Sequence, residues 1–99
     1  MKKPYTDKQG QYLAFIYYYR KIHGRAPAEA EMQQYFRVSP PSVHQMVLTL
    51  ETRGLIERTP GQARSIRVLI PPADLPDLSQ DGQGYDGSVT ATKYLGEDK

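Results

Sequence analysis

Apolar side chains recur every three or four positions through three stretches of the first half of the chain, after which the period shortens to two. Tyr12, Phe15, Ile16 and Tyr19 fall at helical spacing, with Leu13 widening the stripe. Just upstream, Thr6-Asp7-Lys8-Gln9 has the Thr-x-x-Gln form of a capping box, and Gly24 supplies a left-handed stop. The pattern predicts a first helix from that box to about His23. Gly10 in its opening turns costs about 1 kcal/mol relative to alanine, so either another backbone approaches there or that end frays.

Ala26-Pro27 sets a new start, and a short second helix is predicted over 28–36. Glu29 and Glu31 lie near its positive end, and Met32, Tyr35 and Phe36 share one face. Ser39-Pro40 then gives an N-cap followed by proline at the first helical position, and Val43, Met46, Val47 and Leu50 fall at i, i+3, i+4 and i+7. This third helix ends near Arg53, where Gly54 can take the left-handed cap conformation and Arg53 and Arg58 sit close to the negative end. Leu55-Ile56-Glu57-Arg58 and Ser65-Ile66-Arg67-Val68-Leu69-Ile70 are β-prone, with the hairpin turn expected at Pro60-Gly61. The order predicts a mainly α fold with a small β-hairpin, a three-helix winged helix-turn-helix, with Arg37-Val38 as the tight turn before helix three.

Length and charge refine this picture. Ninety-nine residues are too few for two conventional domains. Residues 1–70 hold 11 Lys and Arg against 5 Asp and Glu, whereas residues 71–99 hold 2 against 6. The expectation is a basic domain over 1–70 and an acidic tail over 71–99, whose prolines and glycines and sparse apolar residues predict disorder. The tail's one apolar run, Val89 to Leu95, alternates with period two and reads either as an edge strand for a partner or as a loose end. A basic domain suits nucleic acid, because Lys and Arg neutralise phosphates and release counterions.

Other classes of function find little support in these residues. The chain has no cysteine and two histidines, His23 and His44, which fall on different predicted helices. Nothing resembles a P-loop, a Gly-x-Ser-x-Gly elbow or a His-Glu-x-x-His helix. The expectation is therefore no enzyme, no cofactor, no metal site and no small-molecule substrate. No run approaches the roughly 20 apolar residues of a bilayer span, so no membrane partner and a cytoplasmic location are expected.

Helix one carries a resemblance. Tyr5-Thr6 through Gln9, then Leu13, Phe15-Ile16 and Tyr19, then Gly24 with Pro27, resemble the amino-terminal DNA-binding domain of the LexA family over roughly residues 5–70. Val38-Ser39-Pro40-Pro41-Ser42-Val43, followed by Leu50-Glu51-Thr52-Arg53-Gly54-Leu55-Ile56, is similar too, and also resembles the MarR and metal-dependent DtxR repressors. The resemblance implies a winged-helix regulator, probing DNA with helix three. Two departures stand against full transfer. The turn before helix three is one residue shorter than in LexA, with Arg37 where winged helices often have glycine. The chain also contains no Ala-Gly cleavage site and has no room for the LexA protease and dimerisation domain, so self-cleavage is not carried over. The resemblance to DtxR leaves a metal-sensing repressor open, with no ligand set visible.

A helix fits the major groove and reads base edges with its exposed, N-terminal side chains. With Val43, Met46, Val47 and Leu50 inward, the outward set is Pro41, Ser42, His44, Gln45, Leu48 and Thr49. The expected base contacts are Pro41, Ser42, His44, Gln45 and Thr49. Gln45 can bond adenine N6 and N7 bidentately, Ser42 can bond several edges, and Pro41 can press on a thymine methyl. His44 suits a base acceptor or a phosphate. Ser39 at the helix start and Arg58, Arg64 and Arg67 on the wing are the expected backbone contacts, the wing tracking phosphates or entering the minor groove. Tyr17 and Tyr18 are expected to face outward as a partner-binding patch, a candidate contact between two copies of the chain. The leading reading is thus a sequence-specific regulator of double-stranded DNA, a repressor. The alternatives are a winged-helix protein-interaction or assembly module, and an architectural replication accessory protein.

Overall fold

The computed structural model describes residues 3–78. Three helices, α1 (Asp7–His23), α2 (Glu29–Phe36) and α3 (Pro40–Thr52), precede two short strands, β1 (Ile56–Glu57) and β2 (Arg67–Val68), and a single 3-10 turn over Pro72–Asp74. The strands pair antiparallel, Ile56 opposite Val68 and Glu57 opposite Arg67. This is the winged helix-turn-helix expected from the pattern.

Local chemistry sets the ends of the helices. Thr6 Oγ1 accepts from the Gln9 amide at 3.1 Å, and Gln9 Oε1 accepts from the Thr6 amide at 2.9 Å, the reciprocal capping box. α1 stops at Gly24, with φ 77°. The second helix starts at Glu29, one residue later than expected, because Ala28 is extended and serves as its N-cap. Having no side-chain acceptor of its own, Ala28 relies on Glu31, whose Oε1 accepts from its amide at 2.5 Å. α3 begins where Ser39 Oγ accepts from the Ser42 amide at 3.4 Å. It ends in a Schellman cap, with Leu55 N–H bonded to Leu50 O at 2.9 Å, Gly54 N–H bonded to Glu51 O at 3.0 Å, and Gly54 at φ 75°. α2 ends similarly, with Val38 N–H on Gln33 O at 3.2 Å, but there the left-handed residue is Arg37, φ 58°.

The stripes meet in one core. Tyr12, Leu13, Ile16, Met32, Phe36, Val43, Val47, Leu50 and Ile56 are all essentially inaccessible to solvent. Tyr12 stacks on Phe36 with ring centroids 4.1 Å apart and planes 12° from parallel, and Phe15 stacks on Tyr35 at 4.6 Å. Met46 and Tyr19, expected inside, are only partly buried and pack against the core from its edge. Burial pushes the Tyr12 phenol above its ordinary pKa.

Three expectations need correction. The strands are two residues each rather than four and six, because the residues beyond Glu57 bond elsewhere. The Ser65 hydroxyl accepts from the Thr59 amide at 2.9 Å and lies 2.9 Å from Gln62 O, which closes the wing as a loop instead of a ladder. Gly10 neither frays nor meets another backbone. Its bare face is covered by the Tyr5 ring and by Pro76. Finally, the packed domain runs past Ile70. Leu75 and Leu78 pack against the core, the Tyr5 hydroxyl donates to Asp74 O, and Gln11 Nε2 donates to Asp77 O at 3.0 Å. Residues 71–78 therefore belong with the domain, and the rest of the expected tail, including the 89–95 run, lies outside the described residues.

Candidate nucleic-acid interface

The same residues that bury α3 decide what it displays. Val43, Val47 and Leu50 are fully enclosed, which turns Pro41, Ser42, His44, Gln45 and Thr49 to the exposed side, with Leu48 half-buried at its margin. The Gln45 side chain makes no hydrogen bond among the described residues. Its amide carries both donors and an acceptor into solvent, the combination that matches the major-groove edge of adenine. Ser42 and Ser39 lie together, their hydroxyls 3.0 Å apart. The first turn of α3 contains no acidic residue. His44 is less independent: its Nδ1 lies 3.4 Å from Glu29 Oε2 on α2, leaving Nε2 as the ring nitrogen not engaged in that contact.

The wing arginines are placed otherwise than their spacing suggested, each meeting a carboxylate of the chain. Arg58 Nε donates to Glu51 Oε1 at 3.0 Å, tying β1's end back to α3. Arg67 pairs with Glu57 directly across the two strands, and this pair is exposed. Arg64 departs furthest from expectation. Its two terminal nitrogens reach Glu31 Oε1 and Oε2 at 3.1 and 2.8 Å, and Nη1 also reaches Ala26 O at 3.2 Å. That fork engages α2's first turn, so the Arg64 guanidinium is committed within the protein. Hydrogen bonding to Arg64 holds the Glu31 carboxyl below its ordinary pKa, and the bond to the Ala28 amide adds to this. The reciprocal bond raises the Arg64 pKa.

Arg58, Arg64 and Glu29 line one recess of about 330 Å³, between the start of α2 and the wing residues 61–66. Sequence reasoning treated Glu29 and Glu31 only as partners of the helix dipole. No local spacing links Glu31 to Arg64, 33 residues on, so the pairing had no signal short of the fold itself.

On α1, Tyr17 and Tyr18 are half-buried and meet edge to face at 5.1 Å, with Lys21 Nζ 5.8 Å from the Tyr17 ring centre and Ile22 75% exposed beside them. Among the described residues no group of three His, Asp or Glu could hold a metal ion, and no helix is long and apolar enough to cross a membrane.

The chain is 34% identical over 67 residues to the LexA repressor of Thermosipho melanesiensis and, at the same identity and length, to that of Thermosipho africanus. The match covers 68% of this chain and 34% of each relative, so the chain spans about a third of the length of these curated relatives. The family model described as the LexA DNA binding domain matches residues 2–65, from the approach to α1 to the wing, and the chain belongs to that family.

Proposed function

We propose that this chain is a sequence-specific, double-stranded-DNA-binding transcriptional regulator, a cytoplasmic repressor that occupies its site as a homodimer. The observation that carries the reading is the two-sidedness of α3. One side buries Val43, Val47 and Leu50 in the core, and the other offers Gln45, Ser42, Pro41 and Thr49 with the side-chain amide of Gln45 uncommitted. Membership of the LexA DNA-binding family supports this use of the helix. Gln45 reads adenine, Ser42 a neighbouring edge and Pro41 a thymine methyl, while Ser39, Arg58 and Arg67 serve the backbone. His44 reaches the groove with its Nε2, held by Glu29. A single small domain reads few base pairs, so a two-fold site is expected, with the Tyr17 and Tyr18 side of α1 as the contact between copies.

The test is selection of bound duplexes from a random pool by the full chain, at two salt concentrations. A palindromic motif that survives the higher salt is the expected result, and Gln45→Ala should relax it at one base position per half-site. No motif, with binding lost as salt rises, would leave only electrostatic attachment and favour a winged-helix assembly module.

A further inference from the structure

We propose that Glu31 and Arg64 form a latch that positions the wing for the duplex, and that Arg64 acts through this latch and not on a phosphate. The inference deepens the DNA-binding reading and rests on it. Three observations carry it.

The first is geometry. Arg64 grips both oxygens of Glu31, at 3.1 and 2.8 Å, and the carbonyl of Ala26 at 3.2 Å. A planar guanidinium matched to two carboxylate oxygens is a directional clamp as well as a charge pair. Glu31 is itself fixed by accepting from the Ala28 amide, so the clamp closes on a carboxylate that the start of α2 already holds.

The second is conformation. Arg64 has φ 60°, a left-handed backbone that is strained for a non-glycine residue. Such a residue persists only where its surroundings fix it. The side-chain bonds to Glu31 and Ala26, with a further one to Tyr19, hold it there.

The third is the thin attachment of the wing loop to α2. Ile66 anchors the base of the wing in the core and Arg58 ties the end of β1 to Glu51, but the strands are only two residues long and a recess of about 330 Å³ lies between the wing loop and the start of α2. Ser65 closes the loop on itself but bonds only to Thr59, Gln62 and the loop's own backbone. With the base of the wing fixed by Ile66 and Arg58, the way its loop sits against the start of α2 is set by Arg64 reaching Glu31. Disconnected, the wing has to be ordered by the DNA, and the affinity carries that cost.

The full chain and its selected duplex test this through affinity measured across a salt series, for Glu31→Gln, Arg64→Ala, Arg64→Lys and the double variant Glu31→Gln/Arg64→Ala. Each single change should weaken binding roughly tenfold with the salt slope unchanged, Arg64→Lys should not rescue, and the double variant should lose no more than either single one. The idea is overturned if Arg64→Ala lowers the slope by about 0.9, one phosphate's worth, while Glu31→Gln leaves affinity unchanged or improves it. Amide exchange in the DNA-free protein separates this failure from failure of the functional reading. Faster exchange confined to 59–66 in both single variants, with α3 protection intact, is expected whether or not a duplex binds. Unchanged exchange in the wing removes the latch. Faster exchange in a protein that selects no duplex removes the DNA reading and, with it, the positioning role.

Discussion

The ring of Tyr5 lies on the bare Cα face of Gly10, where a methyl group would come within 2.6 Å of its Cε1 and 2.9 Å of its Cδ1. This contact explains a glycine in the first turns of a helix, where alanine would ordinarily be better by about 1 kcal/mol. The ring cannot yield easily, because Tyr5 is only 6% exposed and its hydroxyl bonds to Asp74 O. Pro76 Cγ, 3.1 Å from the same methyl position, closes the other side. Overpacking typically costs about 1–3 kcal/mol. Gly10→Ala should therefore be destabilising by about 1 kcal/mol, read as a lower urea midpoint with an unchanged slope.

The same contact predicts where the domain can be cut. A chain ended after Ile70 loses Leu75 and Leu78 from the core edge, Pro76 from Gly10, and the acceptors of Tyr5 and Gln11. Two part-buried leucines and the orphaned Tyr5 hydroxyl together are worth about 2–3 kcal/mol. Ending the chain after Leu78 should keep that stability, whereas ending it after Ile70 should lower the melting temperature by about 10–20 °C. Equal melting of the two truncated forms would show that the segment contributes nothing to the core.

What the sequence disclosed and what it withheld divide by range. The bounds of α1 were legible because Thr6, Gln9 and Gly24 act on their own neighbours, and the face of α3 was legible because burial of Val43, Val47 and Leu50 fixes the complement. Tyr5 stands outside any periodic stripe, and Leu75 and Leu78 stand among prolines, so their packing had no local sign. The ion pairs of the wing were illegible for a related reason. Arg64, Arg58 and Arg67 were counted as charges available to a ligand, while their carboxylate partners come from α2, α3 and the facing strand. Net charge reports the excess and is silent about pairing.

Acid should reach the latch before it reaches the core. The carboxyl of Glu31 titrates below its ordinary value of 4.5, so the unfolded chain binds the proton first, and stability rises with pH across that window. The contribution is complete above about pH 4.5 and is lost as pH falls through the lower, folded-state value. Asp7, lowered by its bond to Lys3, has the same sign further down, but both groups are fully solvated and add little. Glu31→Gln should flatten the acid limb of a stability-against-pH curve below about pH 4.5 and leave the Asp7 portion. A limb of unchanged steepness in that variant would mean that Glu31 titrates alike in the folded and unfolded states.

Arg37 offers a gain in stability. Its φ of 58° ends α2 where glycine is the unstrained choice, and in other respects the cap is a normal Schellman turn. Relief of the left-handed strain exceeds the extra chain entropy of glycine but is offset in part by loss of the interaction the Arg37 side chain makes, so Arg37→Gly should be stabilising by at most about 0.5 kcal/mol. Thermal unfolding of the two forms at the same pH and salt decides it, and a lower midpoint in the variant would mean that the arginine side chain contributes more than its backbone costs.

Glu57 competes with DNA for Arg67. The two residues sit directly opposite in the hairpin and are both about half exposed, at 51% and 59%, so the pair is screened by water and worth at most about 1 kcal/mol. If Arg67 serves a phosphate, it first has to leave Glu57, and the carboxylate left behind repels the backbone. Glu57→Gln removes both obstacles without changing shape. Binding of the selected duplex should tighten about two- to fivefold, and Arg67→Ala should weaken it with a salt slope lower by about 0.9. In the Arg67→Ala background the benefit of Glu57→Gln should shrink to the repulsion alone, because no arginine remains to be released. Arg67 loses its place on the DNA backbone if Glu57→Gln helps equally with and without it, since the gain would then come only from removing a negative charge.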